Sequence, residues 1–153
     1  MRTFALAFLP VITAVIGYLF SLKYNEAENF WNKFLYWHKK IKTEISFSQN
    51  SLPEILRSDA ENDKFLNAAL DFINKKENVP KFKFLSNEEN DFLNKYLQDL
   101  GTTDKNSQID FLNSMEQDLI RYAKDSENKS KKYRPLFIKL GFLFGLIIFI
   151  LVV

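Results

Sequence analysis

A chain of 153 residues with no cysteine, one histidine and a formal net charge of +2 is of single-domain size, and it excludes disulfides and thiolate chemistry. Divided along the chain, the charge changes sign. Residues 23–42 carry five Lys against two Glu and residues 121–134 six Lys/Arg against Asp125 and Glu127, whereas residues 43–120 hold fifteen Asp/Glu against eight Lys/Arg, a net of −7. Two apolar ends leave only residues 23–134 for a polar domain, too few for large catalytic machinery, and basic flanks next to apolar ends are what an anionic membrane surface favours.

Residues 4–22 are nineteen without a charge, long enough to cross a hydrocarbon core of about 30 Å at about 1.5 Å per residue. A cleavable signal has a shorter apolar region ending in small residues; this one runs into Ser21, Leu22, Lys23 and Tyr24, so residues 1–22 are read as a retained signal anchor. Pro10 lies inside it and predicts a kink.

From Tyr24 a helical register continues through Ala27, Trp31, Phe34, His38, Ile41 and Ile45, with Phe30, Tyr36 and Trp37 widening the apolar stripe. Phe34 and Ile41 read as core, whereas Trp31 suits either the core or a membrane interface. His38 sits in that stripe without a carboxylate cluster at ligand spacing, so it reads as a core or boundary residue and not as a metal ligand.

Leu52-Pro53-Glu54 predicts the start of a short helix through Leu56, and Phe65, Ala69, Phe72 and Ile73 mark another that ends at Lys75-Lys76. The stretch 79–85 alternates Lys81, Phe82, Lys83 and Phe84 like a strand, but no second strand exists to pair with it, so it is read as a connector. Ser86 with Glu89 forms a capping box ahead of Phe92, Leu93, Tyr96, Leu97 and Leu100, and Gly101 supplies the stop. Thr102-Thr103-Asp104 offers the next N-cap, and Ile109, Leu112, Met115, Leu119 and Tyr122 define a final helix toward Lys132, which Pro135 separates from the last apolar stretch by at least a bend.

That stretch, residues 135–153, has fourteen uninterrupted apolar residues from Leu140 onward, about 21 Å of helix, and reaches about 28 Å from Pro135 if Lys139 extends its ammonium to the interface. Gly141 and Gly145 form a GxxxG step that admits another helix, either the first span or a second copy of this one. Basic residues crowd the inner flanks of both spans, with Arg2 alone outside, so the positive-inside rule places residues 23–134 in the cytoplasm. The expected architecture is all-α: a small antiparallel bundle of five to six helices between an N-terminal and a C-terminal transmembrane helix.

The sequence holds no GxxxxGK[ST], no GxGxxG and no nucleophile elbow, and basic residues that hug the membrane speak against nucleic acid. The residues alone describe a membrane-anchored interaction module that is not an enzyme and takes no cofactor, metal or small-molecule substrate.

Several blocks, in order, resemble the stage III sporulation protein AB family of endospore-forming bacteria. Glu44-Ile45-Ser46-Phe47 followed by Leu52-Pro53-Glu54-Ile55-Leu56 is similar to the family's Glu-Ile-x-aromatic-Gly and Leu-Pro-Glu-x-Leu, with Ser48 where glycine is common. Leu97-x-x-Leu100-Gly101-x-x-Asp104-x-x-x-Gln108 resembles its Leu-Gly-x-x-Asp turn, and Tyr133-Arg134 with Leu140-Gly141-Phe142-Leu143-Phe144-Gly145 its terminal span.

The resemblance implies a component of the complex linking mother cell and engulfed forespore, multi-pass in the mother-cell membrane and similar to inner-membrane platform proteins of type II secretion and type IV pilus systems. It implies as partners a cytoplasmic AA-like ATPase and other components of the same complex. Glu44, Glu54 and Asp104 are candidate contacts to the ATPase; Glu44 and Asp104 equally suit caps or ion pairs within the bundle. A membrane-anchored regulator or scaffold unrelated to secretion would show the same spans, and a membrane enzyme would need polar residues converging within them, where only Lys139 stands.

Overall fold

The computed structural model describes residues 8–47, 54, 66, 67, 69–71 and 81–152. Among them the chain is helical with no strand, and three helices are continuous: α1 (Leu9–Phe47), α2 (Asn87–Asp99) and α3 (Lys105–Val152). Glu54 and residues 66, 67 and 69–71 are also helical, with Leu66, Ala69 and Leu70 buried. The rest of the two short helices expected over residues 52–76 lies outside the described residues.

Among the described residues, helices expected to be separate from the two spans are fused with them. The first apolar stretch and the helix from Tyr24 are one element, α1; the helix from Lys105 and the last apolar stretch are another, α3. Pro135 lies inside α3 and does not end it. A proline removes one backbone donor, here the partner of the Lys131 carbonyl, and its φ is already helical. Contacts on either side, Arg134 donating to Asn25 Oδ1 at 2.9 Å and Phe137 stacked on Tyr24, hold the helix through it. Pro10 likewise stands in the first turn of α1 and not at a kink, a position where its missing N–H is not needed.

The chain divides into two compact units, one made of Met1–Asn32 with Tyr122–Val153 and the other of Lys33–Arg121. In the first, α1 and α3 run antiparallel, as the pairs Gly17 with Gly141, Tyr24 with Tyr133, Asn25 with Arg134 and Trp31 with Tyr122 require. Trp31 is fully buried and lies flat on Tyr122, ring centroids 4.6 Å apart, which settles its role as packing.

In the second unit the core is formed by Phe34, Trp37, His38 and Ile41 of α1, Leu93, Tyr96 and Leu97 of α2, and Leu112 and Leu119 of α3. Tyr36, expected in the stripe, is 71 % exposed because it falls on the opposite face from Phe34 and His38. The capping box forms as the spacing predicts: Glu89 N–H donates to Ser86 Oγ at 3.2 Å and Ser86 N–H to Glu89 Oε2 at 2.7 Å. Ahead of it, Asn90 does for residues 82–86 what a neighbouring strand would do. Its Oδ1 accepts from Phe82 N–H at 2.9 Å, and its Nδ2 donates to the carbonyls of Phe82, Leu85 and Ser86.

Gly101 ends α2 with φ 77°, a left-handed conformation, and its N–H donates to Gln108 Oε1 at 2.8 Å. Replacing Gly101 by Ala is expected to destabilise the chain by about 1 kcal/mol, read as a lower denaturant midpoint in detergent, whereas Thr103→Ala in the same exposed turn shifts it by less than about 0.5 kcal/mol.

Candidate functional site

Two regions carry the features expected to matter, and each lies within one unit. In the first unit the seam between α1 and α3 is built from small residues. A Cβ on Gly17 would run into the Phe137 carbonyl oxygen and stand 3.4 Å from Gly141 Cα; one on Gly141 would meet the Thr13 carbonyl oxygen and Ala14 Cα at 3.3 Å. A Cβ on Gly145 would meet Thr13 Oγ1 and the backbone of Pro10. At Gly17 and Gly141 the obstacle is backbone, which cannot swing aside. Gly141 and Gly145 therefore serve contact with the first helix of the same chain, and Gly17, a lone glycine that no motif singled out, is their counterpart.

The seam continues with Ser21, Ser126 and Ser130, all buried. Ser21 Oγ donates to the Tyr18 carbonyl at 2.7 Å and Ser126 Oγ to the Ala123 carbonyl at 2.8 Å, so these hydroxyls are satisfied within their own helices. Away from the seam both helices are apolar and uncovered. Val11, Ile12, Val15, Leu19 and Phe20 on α1, and Phe142, Leu143, Phe144, Ile147, Ile150 and Leu151 on α3, are exposed. Among the described residues α3 is the one helix long and apolar enough to cross a membrane, and the rest of the chain covers almost none of that stretch.

In the second unit the sequence-selected acids separate into different roles. Asp104 is the N-cap of α3: its carboxylate accepts from Asn106 N–H at 3.1 Å, Ser107 N–H at 3.3 Å and the Ser107 hydroxyl at 2.6 Å. The Ser107 side-chain hydrogen bond, then its backbone one, hold the Asp104 carboxyl below its ordinary value. Glu44 is half-buried on α1 and Glu54 is exposed. α2 adds an exposed row at helical spacing, Glu88, Asp91, Lys95 and Asp99, that was not picked out from the sequence.

Between these elements lies a buried polar pair. His38 is fully buried, and its Nδ1 is 2.9 Å from the Tyr96 hydroxyl, which is itself fully buried. Nε2 has no partner among the described residues. Protonation would place a positive charge on a ring that is buried in the core. Burial accordingly lowers the His38 pKa to about 4, against Glu116, which raises it, and with Lys42 and Lys39, which lower it. Glu116 accepts from Lys42 Nζ at 2.6 Å, and that hydrogen bond keeps its carboxyl below the usual range. At the C-terminus of α1, Lys105 Nζ donates to the Ser46 carbonyl at 3.1 Å. Among the described residues no cluster of His, Asp or Glu at metal-binding distance occurs.

A family model described as stage III sporulation protein AB matches residues 2–153. The chain belongs to that family. No curated protein and no solved structure matches the chain. Membership gives it a part in sporulation, and the match includes both apolar ends as well as the helical middle.

Two outcomes test the geometry. Gly141→Leu is expected to destabilise the α1–α3 seam by about 2 kcal/mol or more, read by thermal unfolding in detergent, while Leu143→Ala on the exposed face stays within about 0.5 kcal/mol. The unfolded chain protonates His38 near 6.5 and the folded chain only near 4, so this contribution to stability is full above pH 6.5 and falls as the pH drops toward 4. Down to about pH 5, above the range where Glu116 and Asp104 titrate, the loss is up to about 2 kcal/mol, and His38→Gln abolishes that slope.

Proposed function

We propose that the chain is a membrane platform component of the sporulation channel complex, anchored in the mother-cell membrane by an α1–α3 hairpin and presenting residues 23–134 to the cytoplasm. The uncovered apolar surface of that hairpin carries the reading, because contiguous exposed patches of this size are rare on soluble chains and common where lipid covers them. Residues 1–22 act as the first span and residues 135–153 as the second, with both termini on the far side.

The head acts by docking and not by catalysis, and needs no cofactor. Its partner is the AA-like ATPase that the family resemblance implies, whose motion it passes to the other components of the complex. The acidic composition of residues 43–120 supports a basic docking partner. Glu44, Glu54 and the α2 row of Glu88, Asp91 and Asp99 are assigned to this contact. Asp104, whose carboxylate oxygens are engaged in the α3 cap, contributes chiefly by setting the start of that helix.

Because the chain has no cysteine, one introduced at exposed Asn113 reports its side of the membrane. The expected outcome is protection from a membrane-impermeant maleimide in intact cells and labelling after permeabilisation, together with co-purification of the ATPase that Glu88→Lys with Asp91→Lys weakens at least about tenfold. Labelling in intact cells places the head outside and overturns the platform reading. Cytoplasmic labelling without any ATPase in the eluate favours a membrane-anchored regulator.

A further inference from the structure

One flank of the hairpin is not a plain apolar surface. Ile16, Gly17 and Phe20 of α1 and Phe137, Leu140 and Phe144 of α3 line an open apolar groove of about 350 Å³. Gly17 apart, these residues advance by three or four positions along each helix, and the next step in each row is Tyr24 beyond Phe20 and Tyr133 before Phe137. These two rings stack at 5.2 Å, and Tyr24 also stacks at 5.8 Å on Phe137, which belongs to the groove. A cation stands on each ring: Lys23 Nζ lies 5.0 Å from the Tyr24 centroid and Lys132 Nζ 5.3 Å from that of Tyr133. Of the basic residues beside Lys132, Lys131 pairs with Glu127 and Arg134 donates to Asn25. Neither Lys23 nor Lys132 forms an ion pair among the described residues.

Groove, aromatic pair and cations follow one another in the order of an acyl chain, a glycerol backbone and a negative headgroup. From Thr13 to Tyr24 the helix rises about 16 Å, roughly the depth of one leaflet of a hydrocarbon core of about 30 Å. We propose that this flank is a site for one anionic phospholipid, with an acyl chain in the groove and the phosphate at Lys23 and Lys132. A zwitterionic lipid would bring its own ammonium toward two lysines. A second copy of the chain, packed flank to flank, would set four lysines together, and a free phosphate would leave the groove unused. The site rests on the reading of the hairpin as membrane-embedded.

The full chain is reconstituted in phosphatidylcholine nanodiscs doped with phosphatidylglycerol bearing an acyl diazirine, or with phosphatidylcholine bearing the same group, and labelled peptides are quantified after photolysis. Phosphatidylglycerol is expected to label residues 13–20 and 137–144 at least about fivefold more than phosphatidylcholine. Lys23→Gln with Lys132→Gln brings that ratio close to one without reducing labelling by phosphatidylcholine. Equal labelling of the unaltered chain by the two lipids, or a preference that survives the double substitution, overturns the site. So does crosslinking of chain to chain through the groove. A chain that is never recovered in nanodiscs defeats the membrane reading itself, whereas an embedded chain without lipid preference defeats the lipid site alone.

Discussion

The backbone contact at Gly17 and Gly141 is the constraint on which the hairpin depends. Where two helices approach until one Cα faces the other's carbonyl, no side chain fits between them, and sliding by one residue would drive a Cβ into backbone. The glycines therefore set the register of the antiparallel pair. Once Gly17 lies against Gly141, Tyr24 meets Tyr133 and Asn25 reaches Arg134 about two turns further along, and Trp31 covers Tyr122 about two turns beyond those. Small residues in the seam allow the close packing, and the aromatic pairs farther along add about 0.5–1.5 kcal/mol each.

The unit formed by Lys33–Arg121 is organised differently. Its core is aromatic, with Phe34 edge-on to Tyr96 at 5.0 Å and Tyr96 5.6 Å from Phe111, and the hydrogen-bonded pair of His38 and Tyr96 is buried in it. A buried His–Tyr bond specifies which faces of α1 and α2 meet, because any other pairing would leave two polar groups in apolar surroundings. The same pair makes acid unfavourable to the fold.

Local chemistry was the legible part of the sequence. The Ser86–Glu89 box, the Gly101 stop and the Asp104 cap are set by residues within three or four positions of one another, and each stands in the structure where its spacing places it. The α1 stripe was legible as a periodicity, but the aromatic residues Phe30, Tyr36 and Trp37 beside it made Tyr36 look like a member when its angle on the helix leaves it exposed. Pro135 does not divide the helix, because a rule about isolated helices does not count the neighbours that brace the turn. His38 and Tyr96, 58 residues apart, share no local signal, and neither do Gly17 and Gly141. The acids show the limit for site residues, since an N-cap and a solvent-facing acid use the same residue type, and only geometry separated Asp104 from the exposed α2 row.

The antiparallel seam has an electrical consequence. Peptide dipoles sum to about half a positive charge at a helix N-terminus and half a negative charge at a C-terminus. The start of α1 lies beside the last turns of α3, where Pro10 meets Gly145, so the two partial charges offset at one end of the pair. A membrane potential acts with about 2.3 kcal/mol per elementary charge per 100 mV, but on a pair whose dipoles cancel it exerts almost no turning force. In a bilayer, the direction in which such a hairpin points is left to the lysines and arginines that flank it, and a change in membrane voltage would act through those charges and not through the helix dipoles.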